Sequence, residues 1–168
     1  ASYRRIGGPY AIVSALQDLG AVLGDMGRLD EAGVCLSEAL AVVRRLEASV
    51  PLAAALNNLG YLCHLRGEYQ QSLALFEEGL AVARRAGDLK NQAYIALGMA
   101  DVYRDVGAFE RAEPLYRAAR QLAEETETGH AVYVLLAQAD MRRWQGDPQG
   151  ALGLLEEGRR LAEKEGLR

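Results

Sequence analysis

Histidine and cysteine are scarce in this chain, two residues of each, and their placement excludes more than their number does. His64 and His130 lie too far apart in sequence to suggest a metal-ligand set, and no cysteine stands two or three residues from Cys35 or Cys63. Two separate thiols fit a reducing compartment better than a disulfide framework, so a cytoplasmic location is expected. No glycine-rich phosphate loop follows a strand, because no strand is predicted, and no nucleophile stands in a recognisable pattern with a base. The expectation is therefore no enzyme, no metal and no cofactor. Net charge is −4, which leaves no global basic field for nucleic acid and no polybasic membrane patch. No apolar run approaches the ~20 residues of a membrane span. Residues 1–10 carry Arg4 and Arg5 with no apolar core after them, so no secretory signal is read there. The absent initiator methionine and abrupt ends suggest a domain cut from a longer chain.

What the chain does have is a period. Gly27, Gly67, Gly107 and Gly146 are spaced by 40, 40 and 39 residues. Seven residues before each stands a small residue: Gly20, Gly60, Ala100 and Ala139. Five after each stands another: Ala32, Ser72, Ala112 and Ala151. Nine after come Leu36, Phe76, Tyr116 and Leu155, and twelve after come Ala39, Gly79, Ala119 and Gly158. A fixed period of this length signals stacked repeats. Small residues let helices approach closely, and the large apolar residue fills the space beside them.

The apolar spacing predicts helix pairs at about 10–26 with 29–47, 52–66 with 69–86, 89–106 with 109–126, and 130–145 with 148–165. Residues 1–9 read as a connector, and the repeats as about 10–50, 51–88, 89–129 and 130–168, in a single domain 1–168. Pro51 is placed at a helix entry and Asp147-Pro148 as a cap followed by proline. Pro114 falls near the first turn of its helix. Arg44-Arg45, Arg84-Arg85 and Arg159-Arg160 close second helices, where cations complement the dipole.

The stretch ALNNLGYLCHLRGEYQQSLALFEEGL, with three further copies, resembles the tetratricopeptide repeat family. Leu16, Leu56, Ala96 and Leu135 stand where that family often has tryptophan, and the fourth copy departs further with Gln138 and Arg142. The resemblance implies an all-α right-handed superhelix of four tandem helix-turn-helix repeats, with the first helices lining a concave groove. On those helices four columns lie at i, i+3, i+7 and i+10, one helical face. They supply the candidate binding residues Gln17, Asn57, Asn58, Tyr61, His64, Tyr94, Asp101, Arg104, Tyr133, Asp140 and Arg143. Amides can grip a peptide backbone in either direction, and tyrosine and arginine are common interface anchors. Asn58 before Leu59-Gly60 resembles the groove asparagine of kinesin light chain repeats. The pairs Asp101–Arg104 and Asp140–Arg143 are also spaced to satisfy each other. His130 is expected to cap or solvate a turn, and Trp144 to pack over the end of the last pair.

The expected function is recognition of a protein or peptide in the groove, across the second to fourth pairs. Repeats of about 40 residues with extended second helices resemble the sensor regions of large bacterial transcriptional regulators of the maltose-regulon and antibiotic-regulatory type. The alternatives are a free-standing assembly scaffold, or a sugar-like molecule stacked on Tyr94 and Tyr133. The last helix carries Leu152, Leu155 and Leu161 with no later helix to cover them, so self-association through the C-terminal repeat is expected.

Overall fold

The structure, a computed structural model, describes residues 8–126 and 129–166. Eight helices occupy these residues: α1 (Pro9–Asp25), α2 (Leu29–Leu46), α3 (Ser49–Leu65), α4 (Tyr69–Ala86), α5 (Leu89–Asp105), α6 (Phe109–Glu125), α7 (His130–Trp144) and α8 (Pro148–Glu165). No strand occurs among the described residues. The chain divides into two compact units, one ending at Asn91 and the other starting at Gln92. Residues 1–7 of the sequence-read connector, Arg168, and two residues of the turn at 125–129 lie outside the described set.

Each first helix meets its second through a tight turn, and the turn explains the glycine period. Gly27, Gly67, Gly107 and Gly146 have φ of 73°, 73°, 75° and 77°. In that left-handed region a Cβ collides with the backbone, so glycine is the residue that fits without strain. The ends of the second helices make the same demand: Gly87 after α4 and Gly166 after α8 have φ of 66° and 69°, while Glu47 stands at the matching place after α2 with φ 51°.

In the first unit α1 packs on α2, α3 on α4, and α2 on α3. The small and large columns meet as their sizes require. A Cβ on Gly20 would lie 2.7 Å from Leu36, and one on Gly60 2.8 Å from the ring of Phe76. The buried Ser72 hydroxyl donates to the Gly60 carbonyl at 2.8 Å, tying α4 to α3 at the same level. Leu23, Ala32, Leu36 and Leu62 form a continuous core, flanked by Leu29, Cys35 and Leu59. Arg44 on α2 pairs with Glu78 on α4 at 2.9 Å, and Arg66, just after α3, donates to the Leu29 carbonyl on α2 at 2.8 Å.

In the second unit α6 packs on α7 and α7 on α8. Tyr116, Leu135, Val134 and Met141 are fully buried there. Ala93, Ala123 and Ala131 cluster, with Leu122 and Leu161 against them. Arg120 on α6 pairs with both Glu124 and Glu157, the second on α8.

Three local expectations need adjustment. The second pair starts at Ser49 rather than at Pro51, which sits third in α3, where a helix does not yet need its N–H groups. Pro114 lies inside α6, which continues through it. Leu155, read with the buried column of Leu36, Phe76 and Tyr116, is 42% exposed, because no described helix follows α8 to cover it. The Asp147 cap is as read: its carboxylate accepts the Gly150 N–H at 2.9 Å, with Pro148 opening the helix.

Candidate functional site

Helix α3 carries Asn57, Asn58, Tyr61 and His64 because its other face, Ala53, Leu56, Gly60 and Cys63, is consumed by packing. Between α3 and α1 opens a cleft of about 70 Å³, lined by Gly20, Ala21, Gly24, Asp25, Leu36, Asn58, Tyr61, Leu62 and Leu65. Its floor is apolar, from Leu36 and Leu62, and the small residues of α1 provide the room. Asn58 and Tyr61 supply the polar groups. Asn58 is half-buried and its Oδ1 accepts from the Asn57 amide at 3.4 Å. Tyr61 is 48% exposed. His64 stands between Tyr61, ring centroids 6.3 Å apart, and Tyr69 of α4, 6.0 Å away. Gln17 is half-buried on α1, and its Nε2 is buried with no hydrogen-bond partner; it does not line the cleft. Beneath this face burial pushes the Cys63 thiol up to about 11, helped by the hydrogen bond and charge of Glu68.

The second unit holds the remaining candidates in three separate groups. Asp101 and Arg104 on α5 belong to a largely buried network. Arg104 Nη1 donates to Asp101 at 2.8 Å, its Nε donates to Asp105 at 2.9 Å, and the Tyr116 hydroxyl on α6 donates to Asp101 at 2.7 Å. The Arg104 side chain is only 15% exposed, with its guanidinium 5.6 Å from the centre of the Trp144 ring. Burial opposes the Arg104 charge, but Asp101, Tyr116 and Asp105 hold its pKa above the ordinary value. Burial, then Asp101, pushes the Tyr116 phenol well above the usual range.

The second group is aromatic. Tyr94 on α5 packs edge-on against His130, centroids 4.4 Å apart, with its hydroxyl 3.3 Å from Nδ1. Tyr133 flanks His130 at 5.8 Å and is 61% exposed. His130 therefore opens α7 as a packing ring between two tyrosines, rather than capping or solvating a turn. Burial also raises the Tyr94 phenol. The third group is Asp140 with Arg143 on α7, an exposed pair at 3.1 Å. Trp144, at the end of α7, is half-exposed, with the Arg104 guanidinium over its ring.

Sequence reading missed Tyr116, Asp105 and His130 as polar partners, and Asp25 and Leu65 as walls of the cleft. The signal for Tyr116 was present: a phenol in a column otherwise filled by leucine and phenylalanine needs a hydrogen-bond partner when buried. None of the described residues forms a cluster able to hold a metal ion, and no described helix is long and apolar enough to cross a membrane.

Residues 11–85 match the family described as Tetratricopeptide repeat. No curated protein matches the chain in sequence. Solved structures match the fold. BtubC (BKLC) from P. vanneervenii is 15% identical with a TM-score of 0.75, over 96% of this chain and 67% of that one. The apo form of RapI is 15% identical with a TM-score of 0.80, over 98% of this chain and 61% of its own. A Rap protein complexed with Competence and Sporulation Factor is 22% identical with a TM-score of 0.74, over 92% of this chain and 42% of its own. The kinesin light chain TPR-like repeats of Podosopora anserina score 0.70 at 18% identity, over 95% and 78% of the two chains. This chain thus spans less than two thirds of each of the two Rap proteins. The likenesses show the fold class, an all-α tandem repeat of the tetratricopeptide type, and with the match over residues 11–85 they support that family.

Proposed function

We propose that the four helix pairs are all tetratricopeptide repeats, and that the chain is a non-enzymatic module binding an extended peptide segment on its first helices. The observation that carries this is the α1–α3 cleft, whose apolar floor lies beside the amide of Asn58 and the phenol of Tyr61. Such a site takes one apolar side chain on the floor while the amide bonds the flanking peptide backbone. In the second unit, Tyr133 and the exposed Asp140–Arg143 pair present the matching face of α7. Arg104 is engaged inside the fold and serves there as support for α5 rather than as a free anchor.

The module is further proposed as the sensor or interaction region of a bacterial transcriptional regulator. The repeat length and extended second helices support this, and one structural neighbour is a Rap protein complexed with Competence and Sporulation Factor. Self-association through the last repeat is part of the same reading, because Leu152 and Leu155 on α8 are exposed.

The test uses an array of extended peptides bearing apolar side chains and three variants. Asn58→Ala and Tyr61→Ala should each weaken a bound peptide by ~1–3 kcal/mol without lowering the melting temperature. Gly24→Leu is the sharper probe. A Cβ at Gly24 meets nothing within 4 Å, so the added side chain starts in open space on the wall of the cleft, and replacing glycine gains up to ~1 kcal/mol of helix propensity. Peptides that bind Gly24→Leu and Asn58→Ala as tightly as the parent would remove the cleft from the account.

A further inference from the structure

Each unit contains one contact between a second helix and the first helix of the next pair: α2 on α3, and α6 on α7. The two are built from different chemistry. Counted from the turn glycines, Glu113, Arg117 and Arg120 on α6 stand where α2 has Gly33, Ser37 and Leu40. Gln138 and Arg142 on α7, the two departures of the fourth copy from the repeat pattern, stand where α3 has Leu59 and Cys63. In the first unit Leu40 and Cys63 are buried and Leu59 is half-buried, so the centre of the contact is apolar. In the second unit the five polar residues line a cleft of about 440 Å³, completed by Asp147, Gly150 and Leu154 from the start of α8.

Most of these groups are engaged with each other. Arg120 is held by Glu124 and Glu157, and the Asp147 carboxylate accepts the Gly150 N–H. Arg142 donates to Glu113 at 3.3 Å and to Gln145 at 3.4 Å, both long for a charged donor. Two groups stand apart. Arg117 is exposed and makes no ion pair or hydrogen bond among the described residues. Gln138 is 6% exposed, and its buried Oε1 receives no hydrogen bond. A buried amide oxygen without a donor is unfavourable, and a leucine here, as at Leu59, would carry no such cost. A polar floor with an unmet acceptor, beside a cation with no counter-ion, describes the complement of a ligand.

We propose that the cleft between α6, α7 and α8 binds a carboxylate with an amide N–H on the adjacent carbon, the chemistry shared by a peptide C-terminus and an N-acyl amino acid. Arg117 and Arg142 take the carboxylate, since a guanidinium fork matches its two oxygens. One cation without a counter-ion calls for a single negative charge, which favours a carboxylate over a phosphate near −2. The N–H donates to Gln138 Oε1, which the soft last torsion of the amide turns toward the cleft that the residue lines. Leu154 offers an apolar wall for the ligand's side chain. None of these residues belongs to the α1–α3 cleft, so the two sites stand or fall separately.

Calorimetric titration of the 168-residue chain tests it with three probes: an N-acetylated Ala-Ala-Leu tripeptide as the free acid, the same tripeptide as its C-terminal amide, and N-acetyl-leucine. The free acid should bind, and the amide should bind at least about tenfold more weakly, because the two arginines lose their anion. Arg117→Gln and Gln138→Leu should each weaken the acid by at least about tenfold. Gln138→Leu should do so while its melting temperature holds or rises, which a merely structural role for the amide would not produce. A tripeptide tighter than N-acetyl-leucine assigns the site to a protein C-terminus, and equal affinities assign it to the small molecule; both uphold it. Should Gln138→Leu fail to fold, Arg117→Gln, at an exposed side chain, carries the comparison. Acid and amide that bind alike, no binding of either acid, or an Arg117→Gln chain that binds as the parent does would each overturn the proposal.

Discussion

Arg104 shows how a side chain's role depends on what lies across from it. On α5 alone it is one of several charges on the outward face of a first helix. In the fold, Asp101, Asp105 and the Tyr116 hydroxyl surround its guanidinium at 2.8–3.3 Å. Removing one member of a buried charged group leaves its partners desolvated and unpaired. Arg104→Ala is therefore expected to lower stability by ~2–4 kcal/mol, by removing the guanidinium bound to Asp101 and Asp105. Tyr116→Phe keeps the ring and loses the two hydrogen bonds of its hydroxyl, one donated to Asp101 and a longer one accepted from Arg104, so ~1–2 kcal/mol is expected. Urea unfolding of both variants checks the order. Equal midpoints for Arg104→Ala and the parent would return Arg104 to the solvent and to the list of free anchors.

Between elements, spacing is governed by pairs of residues of opposite size. Gly60 exists in the middle of α3, where alanine would favour the helix by ~1 kcal/mol. The ring of Phe76 occupies the volume that a Cβ there would need, and that ring is fully buried. Gly60→Ala should consequently destabilise, because overpacking of ~1–3 kcal/mol outweighs the propensity gain. Phe76→Ala should cost ~3–5 kcal/mol through the cavity it leaves. The double variant Gly60→Ala/Phe76→Leu should recover part of the loss, giving a coupling that a double-mutant cycle reads directly. Additive effects would mean that the two helices do not meet at this level. The Ser72 hydroxyl bonded to the Gly60 carbonyl adds a second reason for the close approach, since that bond reaches only where α3 has no side chain.

At the scale of the whole molecule, burial holds the Cys63 thiol and the Tyr116 phenol in their neutral forms. Cys63 is 2% exposed, and its thiol is raised from 9.0 to about 11. Tyr116 is raised for the same first reason, burial. A group that holds its proton more tightly folded than unfolded adds stability that is complete below the unfolded pKa and is lost as pH rises through the folded one. Stability is therefore expected to decline between pH 9 and 11, and Cys63→Ala should flatten that part of the curve, read as the urea midpoint against pH. The same slope in the variant would mean that the thiol ionises as freely in the fold as outside it.

The linear sequence by itself determined the glycine period and most of the helix limits, the start of α3 at Ser49 excepted. The turn glycines recur because four tight turns need positive φ, and size alternates in the columns because helices must touch. Both demands act on residues close along the chain, so spacing alone reveals them: α4, read as 69–86, spans Tyr69–Ala86. The groups among the candidate residues were a different matter. Asn58 and Tyr61 line a cleft because Gly20, Ala21 and Gly24, about 40 positions earlier, leave space against them. Arg104 is engaged because Tyr116 crosses from the next helix, and Tyr94 because His130 crosses from α7. Leu155 matches Phe76 in register but not in burial, since a residue's column says what it can pack against and only the stack says whether anything is there. Periodicity is a local property of the backbone, whereas the partner of a side chain is chosen by the packing of helices tens of residues apart, and that choice was made by the tertiary structure.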